Sequence, residues 1–247
     1  MKIIQLNIWL GHLLHPALDF IERESPDILC AQEVISSDKG HNLFAFLQTH
    51  ERLSEHFPYK FMAPTYSFNA LGQICRYGNA IYSKHPITNT SVRFTSGNFQ
   101  ETIEIDSLKQ LGEIRNIQYC EITPKGNNSF YVVNHHGYHN PTGIDSTAGS
   151  EASMQNVATI LKELKKPLIF CGDLNASPSS KTLHELDSLG LRNLSIDFGL
   201  QNTLSKVHRL DFDFVCDYIF TSPEISVKSF KESSLITSDH KPLILEI

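Results

Sequence analysis

The sequence predicts one domain of packed β-sheets carrying a few amphipathic helices. Three observations lead there. Short apolar runs of strand character recur along the whole 247-residue chain, most of them too short for helices. Helical periodicity is confined to a few segments. No linker or composition break divides the chain, whose length suits a single large sandwich or α/β domain.

The elements follow in order. Lys2 to Leu10 alternates, with Ile4, Leu6 and Ile8 on one face and Gln5, Asn7 and Trp9 on the other. Pro16 to Glu24 has helical spacing and stops at Ser25-Pro26. Asp27 to Glu33 is a short buried strand ending in Gln32-Glu33. Asn42 to Leu53 reads as a helix, Tyr59 to Tyr66 and Gly78 to Ile87 as strands, and Ser91 to Ile105 as polar and β-prone. Ile114 to Ile122 is a strand with Arg115 exposed or facing a site, and Ser129 to His136 is another. A helix covers Glu151 to Leu164, with Lys165 and Lys166 at its C-terminal end suiting the dipole. Leu168 to Asp173 is an apolar strand, and Ser179 or Ser180 can cap a helix through Leu189. Gly190 to Leu210 is weakly patterned. Phe214 to Thr221, Ile225 to Phe230 and Leu243 to Ile247 complete the strands.

Composition narrows the function. A net charge of −6 gives no general electrostatic grip on nucleic acid. No run approaches the roughly 18 apolar residues of a membrane span. The start of the chain reads into a strand without a leader pattern, and the cysteines lead to the expectation of a cytoplasmic setting. The five cysteines, an odd number, are expected to be buried reduced thiols, four of them in apolar strand-like segments and Cys75 outside them.

The chemistry gathers at strand ends. The central run Leu168-Ile-Phe-Cys-Gly-Asp173-Leu-Asn175 stops abruptly in an acid and an amide two residues apart. On an extended backbone such residues point the same way. The plain structural alternative is a strand end closed by an Asx turn. Asn7, Glu33, His135-His136, Asp217 and Asp239-His240 repeat the pattern of polar groups within or just past apolar runs. Buried charges are costly unless paired or metal-bound, so the recurrence suggests convergence at one end of a packed sheet pair. Carboxylates and amides without cysteine form a hard-ligand set that suits Mg²⁺ or Mn²⁺ better than zinc. His135, His136 and His139 could suggest zinc, but they lie on a strand leading into Gly137 and Pro141. No phosphate-binding Gly-Lys-Ser/Thr loop and no Gly-x-Ser-x-Gly elbow is present.

In order, the motifs are Asn7-Ile8-Trp9; Gln32-Glu33; Tyr77-Gly78-Asn79-Ala80-Ile81 with Ser83 and Pro86; Asn134-His135-His136; Gly172-Asp173-Leu174-Asn175; Asp217-Tyr218-Ile219; and Ser238-Asp239-His240-Lys241-Pro242. The set resembles the endonuclease/exonuclease/phosphatase superfamily, which includes deoxyribonuclease I and exonuclease III, over nearly the whole chain. The resemblance implies an α+β fold of four layers, an α/β/β/α sandwich with two mixed sheets face to face and helices outside. It also implies roles. Glu33 would be the main metal ligand, with Asn7 and Asp239 around the same ion. Asp173 would activate the attacking water and Asn175 would hold the phosphate or that water. His240, oriented by Asp217, would stabilise the developing charge, and His136 would be a second phosphate-facing histidine. His135 would point to the other face of its strand, and Asn79 could touch phosphate.

The chain departs from two marked branches. The abasic-DNA enzymes carry a Lys and a Thr around their Gln-Glu pair, whereas here Gln32-Glu33 runs into Val34-Ile35. Cys216 stands where they have an Arg. The Trp-Cys-Asp-Arg motif of inositol 5-phosphatases is here Val215-Cys216-Asp217-Tyr218. The expectation is therefore a Mg²⁺- or Mn²⁺-dependent phosphoesterase, with DNA or RNA the first substrate class and no obligate protein partner. Phosphoinositide, sphingomyelin or small phosphoesters are the alternative substrates. A non-catalytic binding protein would need a lost catalytic residue, and the set is intact.

Overall fold

The computed structural model describes residues 1–38, 45–103, 112–126, 128–140, 146–164, 167–209 and 213–247. Its strands are β1 Lys2–Asn7, β2 Ile28–Ser37, β3 Tyr59–Ala70, β4 Gln73–Ser83, β5 Ile87–Ser96, β6 Gln100–Ile103, β7 Arg115–Ile122, β8 Phe130–His136, β9 Leu168–Asp173, β10 Arg192–Asn193, β11 Asp217–Thr221, β12 Ser229–Glu232 and β13 Leu243–Glu246. The α-helices are α1 Leu14–Glu24, α2 Thr49–Ser54, α3 Ala148–Glu163, α4 Lys181–His184 and α5 Leu194–Asp197. Among the described residues the strands form two mixed sheets, of seven strands (β12-β13-β1-β2-β4-β3-β6) and six (β10-β11-β9-β8-β7-β5). In each, one parallel pair sits near the centre: β1 with β2, and β8 with β9.

Side-chain alternation creates the layers. On β1, Ile3 faces the second sheet and packs with Val132, Ile169 and Cys171. Ile4 and Leu6 face outward onto Phe20 and Ile21 of α1 and Leu53 of α2. On β9, Ile169 and Cys171 face inward, while Leu168 and Phe170 pack under Met154, Val157 and Leu161 of α3. The order is helices, sheet, sheet, helices. Each Ile, Leu or Phe so buried contributes about 1.5–3 kcal/mol.

Toward one end of the sandwich the inward positions turn polar. Gln5 donates to Gln32 Oε1 at 2.9 Å, Gln32 to Asn134 Oδ1 at 2.7 Å, and Asn134 to Gln118 Oε1 at 3.1 Å. All four are buried. Buried amides are tolerated only when hydrogen-bonded; here they cross-link the two sheets between the apolar core and the site.

Several elements differ from expectation. β1 stops at Asn7, because the Asn7 side chain accepts the Trp9 N–H at 3.0 Å and the backbone turns left-handed at Trp9 and Leu10. β3 and β4 are longer than expected and meet in a tight hairpin at Leu71 and Gly72, both at positive φ. That extension puts Cys75 in a strand, buried like the other four free cysteines. The stretch 91–105 is divided: β5 ends before Gly97, at φ 64, and β6 is short. The strand expected at 225–230 is β12 instead, set by pairing with β13. Of the helix expected at 42–53, residues 42–44 lie outside the described residues, and the remainder is a 3₁₀ turn followed by α2. α3 begins three residues early because Thr147 and Ser150 form a capping box. Lys165 and Lys166 lie outside the described residues. Ser180 does cap a helix, but α4 is one turn long. No described helix is long and apolar enough to cross a membrane.

Candidate active site

The strand ends converge on one cavity of about 450 Å³. Glu33, His136, Asp173, Asn175, Asp239 and His240 all line it. Asn7 and Asp217 reach the same cluster through hydrogen bonds to Asp173 and His240. Asn79 does not line the cavity; it is buried and donates to Asn116 Oδ1 at 3.4 Å.

Local structure delivers each group. Glu33 sits at φ 58 where the pairing of β2 with β4 slips between Ala31 and Val34. A bulge of this kind re-aims a side chain out of the sheet's alternation. His136 and Asp173 are register partners on the parallel pair β8 and β9, and Asp217 is the partner of Asp173 across β11. Asp217 therefore begins its strand; it does not sit in the middle of it. His135 points the other way and bonds the Asn116 carbonyl at 2.9 Å.

The extended spacing expected for Asp173 and Asn175 does not hold, because β9 ends at Asp173 and Asn175 is left-handed, at φ 51. An Asx turn makes the connection instead: the Asn175 N–H donates to Asp173 Oδ1 at 3.1 Å. The Asn175 amide then donates to the Gly137 carbonyl at 3.2 Å. Gly137 is required here, since a Cβ would lie 2.2 Å from the Leu174 carbonyl oxygen.

Asp173 is the hub. Its Oδ2 accepts from Asn7 Nδ2 at 3.0 Å and lies 3.6 Å from His136 Nε2 and 3.7 Å from His240 Nε2. Burial raises its carboxyl; the His240 cation opposes this, Asp217 adds to it, and the group settles at about 6. His240 Nδ1 lies 2.9 Å from Asp217 Oδ2. Burial disfavours its charged form, but Asp217 and Asp173 outweigh that and hold it well above the ordinary imidazole range. Asp217 is fixed in turn by Gln5, whose amide donates to Oδ1 at 3.0 Å. His136 is the opposite case: burial, then the Arg115 charge, push it well down, so it is neutral. Its contact with Asp173 is therefore not an ion pair. Two histidines flank one carboxylate in different charge states.

The acids form a second electrostatic feature. Burial raises Glu33; His240 opposes, Asp239 and Asp173 add, and an Asn7 hydrogen bond lowers it, leaving it at about 7. Carboxyls converging in a desolvated site resist joint ionisation unless a cation joins them. The donor chemistry fits a hard divalent ion. Glu33 and Asp239 offer carboxylate oxygens, and Asn7 Oδ1 keeps one lone pair beyond the Trp9 N–H. Other ligand-type clusters fit less well. Asp173, Cys216 and His240 gather closely, but burial, then Asp217, push the Cys216 thiol well up and His240 is cationic. His208, Asp239 and His240 share the second limitation, although His208 Nε2 stands 3.8 Å from Asp239 Oδ2.

The cavity also holds residues that sequence patterning did not assign to it. Arg115 is buried, with its guanidinium bonded to the Gly137 and Ile114 carbonyls. Tyr77 OH lies 3.4 Å from His136 Nδ1, and its ring stacks on Tyr66 at 4.8 Å. Val207, His208 and Arg209 come from the weakly patterned stretch, and His139 joins from the loop after β8. Away from the cavity, His50 is half-buried, with its Nδ1 2.9 Å from Tyr82 OH.

A model of the Endonuclease/Exonuclease/phosphatase family matches residues 4–240. A search of the curated proteins returned no match. Solved structures share the fold. An endonuclease/exonuclease/phosphatase family protein from Leptotrichia buccalis is 20% identical, with TM-score 0.69, covering 100% of this chain and 99% of that one. A mannosyl-6-phosphatase from Bacteroides thetaiotaomicron is 16% identical, with TM-score 0.68 and coverages of 100% and 98%. D. rerio TDP2, complexed with a single-strand DNA product, is 14% identical, with TM-score 0.66 and coverages of 99% and 97%. At such identities the likeness speaks for the fold. The match over 4–240, on two mixed sheets whose strand ends meet in one acid- and histidine-lined cavity, makes this chain a member of the endonuclease/exonuclease/phosphatase family.

Proposed function

We propose that this chain is a divalent-metal-dependent phosphoesterase that acts by in-line attack of a water activated by Asp173, with nucleic-acid phosphodiesters as its first substrate class. The observation that carries this reading is the Asp173 hub: one carboxylate, bonded by an amide and flanked by a neutral and a cationic histidine, on the wall of a cavity.

Mg²⁺ or Mn²⁺ held by Glu33, Asp239 and Asn7 would supply Lewis-acid charge beside the scissile phosphate. The chain's own groups do the rest. Asp173, at about 6, is ionised at neutral pH yet basic enough to take a proton from the attacking water. The Asn7 and Asn175 hydrogen bonds fix the direction of its lone pairs. His240, locked as a cation by Asp217, stabilises the charge that develops on the phosphoryl oxygens. His136 is neutral and offers a hydrogen bond without adding charge. Asn175, anchored to Gly137, orients the water or the phosphate.

A second reading, hydrolysis of a small phosphomonoester, draws on the net charge of −6 and on the mannosyl-6-phosphatase among the structural relatives. The first test is cleavage of plasmid, single-stranded and abasic duplex DNA with Mg²⁺, with a chelator and Asp173→Asn as controls. Cleavage that vanishes in both controls supports the nuclease reading. Silence on DNA with turnover of phosphoinositide, phospholipid or sugar phosphate moves the substrate to that class. Full metal-dependent activity in Asp173→Asn removes the assigned base.

A further inference from the structure

Trp9 is the chain's single tryptophan, and the proposed chemistry gives it no task. We propose that it is the stacking surface for an unpaired nucleobase beside the scissile phosphate, so that the substrate is a single-stranded or terminal nucleotide and not an intact duplex. The proposal rests on the phosphoesterase reading above and narrows its substrate.

The indole lines the same cavity as Asp173, His136 and His240, yet it is only half-buried. Its backbone is held in an unfavourable conformation: Trp9 and Leu10 lie at φ 48 and 53, and neither is glycine. Such residues persist only where the surroundings enforce them, and they cluster at ligand sites. The enforcing contact is the Asn7 side chain, which accepts the Trp9 N–H at 3.0 Å and donates to Asp173 at 3.0 Å. One amide therefore ties the main chain that carries the indole to the water-activating carboxylate. The His12 ring packs against the indole, with centroids 4.6 Å apart, and restricts its rotation.

The rest of the cavity is consistent with a nucleotide. Its volume of about 450 Å³ exceeds the need of a phosphate alone and falls in the ~300–1,000 Å³ span of sites for drug-sized ligands. Tyr66 and Tyr77 add aromatic wall, and Arg115 and Arg209 add cationic groups. A base that stacks on a side chain has left the duplex stack. The net charge of −6 points the same way, because a long duplex track needs many phosphate-neutralising cations.

The test uses the full chain carrying Asp173→Asn, with Mg²⁺ and three probes: a short single-stranded oligonucleotide, its fully abasic counterpart, and the matching duplex. Emission reports Trp9 directly, since no other tryptophan is present. The expected result is a change in Trp9 emission with the single strand alone, and binding of that strand about 5- to 150-fold tighter than of the abasic strand. Trp9→Ala should collapse that ratio toward one, and Trp9→Phe, which keeps a ring and guards against a folding defect, should restore much of it. Equal binding of base-bearing and abasic strands, preference for duplex, or no binding of any probe overturns the proposal. Chelator-sensitive hydrolysis of a base-free phosphoester by the wild type would, in that event, leave the phosphoesterase reading standing. Absence of hydrolysis of any phosphoester would remove both.

Discussion

The Asp217–His240 pair gives the sharpest mechanistic prediction. In the wild type, Asp217 Oδ2 sits 2.9 Å from His240 Nδ1 and keeps the ring cationic far above its usual range, while Oδ1 accepts from Gln5 at 3.0 Å. Asp217→Asn keeps the shape. With Gln5 donating to the amide oxygen, the amide nitrogen is left facing His240 Nδ1. A donor then meets a donor, so His240 must present a bare Nδ1 and become neutral. Burial, no longer opposed by Asp217, lowers it further. The loss combines a missing charge with a wrong tautomer, for which losses on the order of 10²–10⁴ in kcat are typical. The pH profile carries the diagnostic. The wild type should hold its activity into the alkaline range, because His240 stays protonated there. In Asp217→Asn, activity should fall as pH rises through the ordinary histidine range or below it. The assay is kcat/KM against pH with Mg²⁺ and a chromogenic phosphodiester, with folding checked by thermal melting. Wild-type kcat with an unmoved alkaline limb in Asp217→Asn would refute the role given to the pair.

Three further outcomes follow from the same geometry. With Glu33 at about 7, protons compete with the metal. Roughly a tenth of the Glu33 carboxyls are ionised at pH 6 and nine-tenths at pH 8, so Mn²⁺ should bind about tenfold more weakly at pH 6 by calorimetry. Glu33→Gln should remove most of that pH dependence. Burial lowers His135 from 6.5 to about 4, so the fold favours its neutral form. The associated stability is present above pH 6.5 and lost as pH falls toward 4, about 3 kcal/mol in all; His135→Gln should flatten that part of a pH-dependent denaturation curve. Gly137→Ala should distort the link between β8 and β9, since its Cβ meets the Leu174 carbonyl. It should cut activity together with melting temperature.

What the sequence revealed and what it hid divide along physical lines. Period-two alternation is local, so it set Asn7 on the face opposite Ile4 and Leu6, and the abrupt end of an apolar run marked Asp173; His136 and the architecture came from the ordered motifs and the family they resemble. The amide belt of Gln5, Gln32, Gln118 and Asn134 was hidden, because a glutamine on a strand does not declare its partner on another sheet. Arg115 was left open for the same reason; its burial depends on the Gly137 carbonyl, supplied by the turn after β8. His208 and Arg209 lie in a stretch with no regular period, so nothing local in it marks a residue as facing the cavity. Asn175 was found by a spacing argument whose premise fails, since the chain leaves the strand at Asp173 and a turn restores the proximity. Leu71 occupies a left-handed hairpin position with none of the usual Asn-Gly signal, so the extension of β3 and β4 went unseen.

The raised acids also predict that this site costs stability when no metal is bound. Glu33 moves from 4.5 to about 7 on folding. A group whose folded value lies above its unfolded one favours the fold while protonated, and that contribution is lost as pH rises through the folded value. At pH 8 the ionised, desolvated carboxylate therefore opposes folding. The shift corresponds to about 3 kcal/mol, an upper figure because solvent reaches part of the side chain. Glu33→Gln keeps the size of the side chain and removes the charge. In the presence of a chelator it should melt higher than the wild type at pH 8 and show little difference at pH 5, where the wild-type group is protonated. Saturating Mn²⁺ should reverse the order at pH 8, because the wild type gains more binding energy from the ion than the variant, which keeps only Asp239 and Asn7. A variant that melts lower than wild type at pH 8 without metal would mean that the Glu33 charge is already compensated within the chain. The inference of a cation site from its carboxyls would then fail.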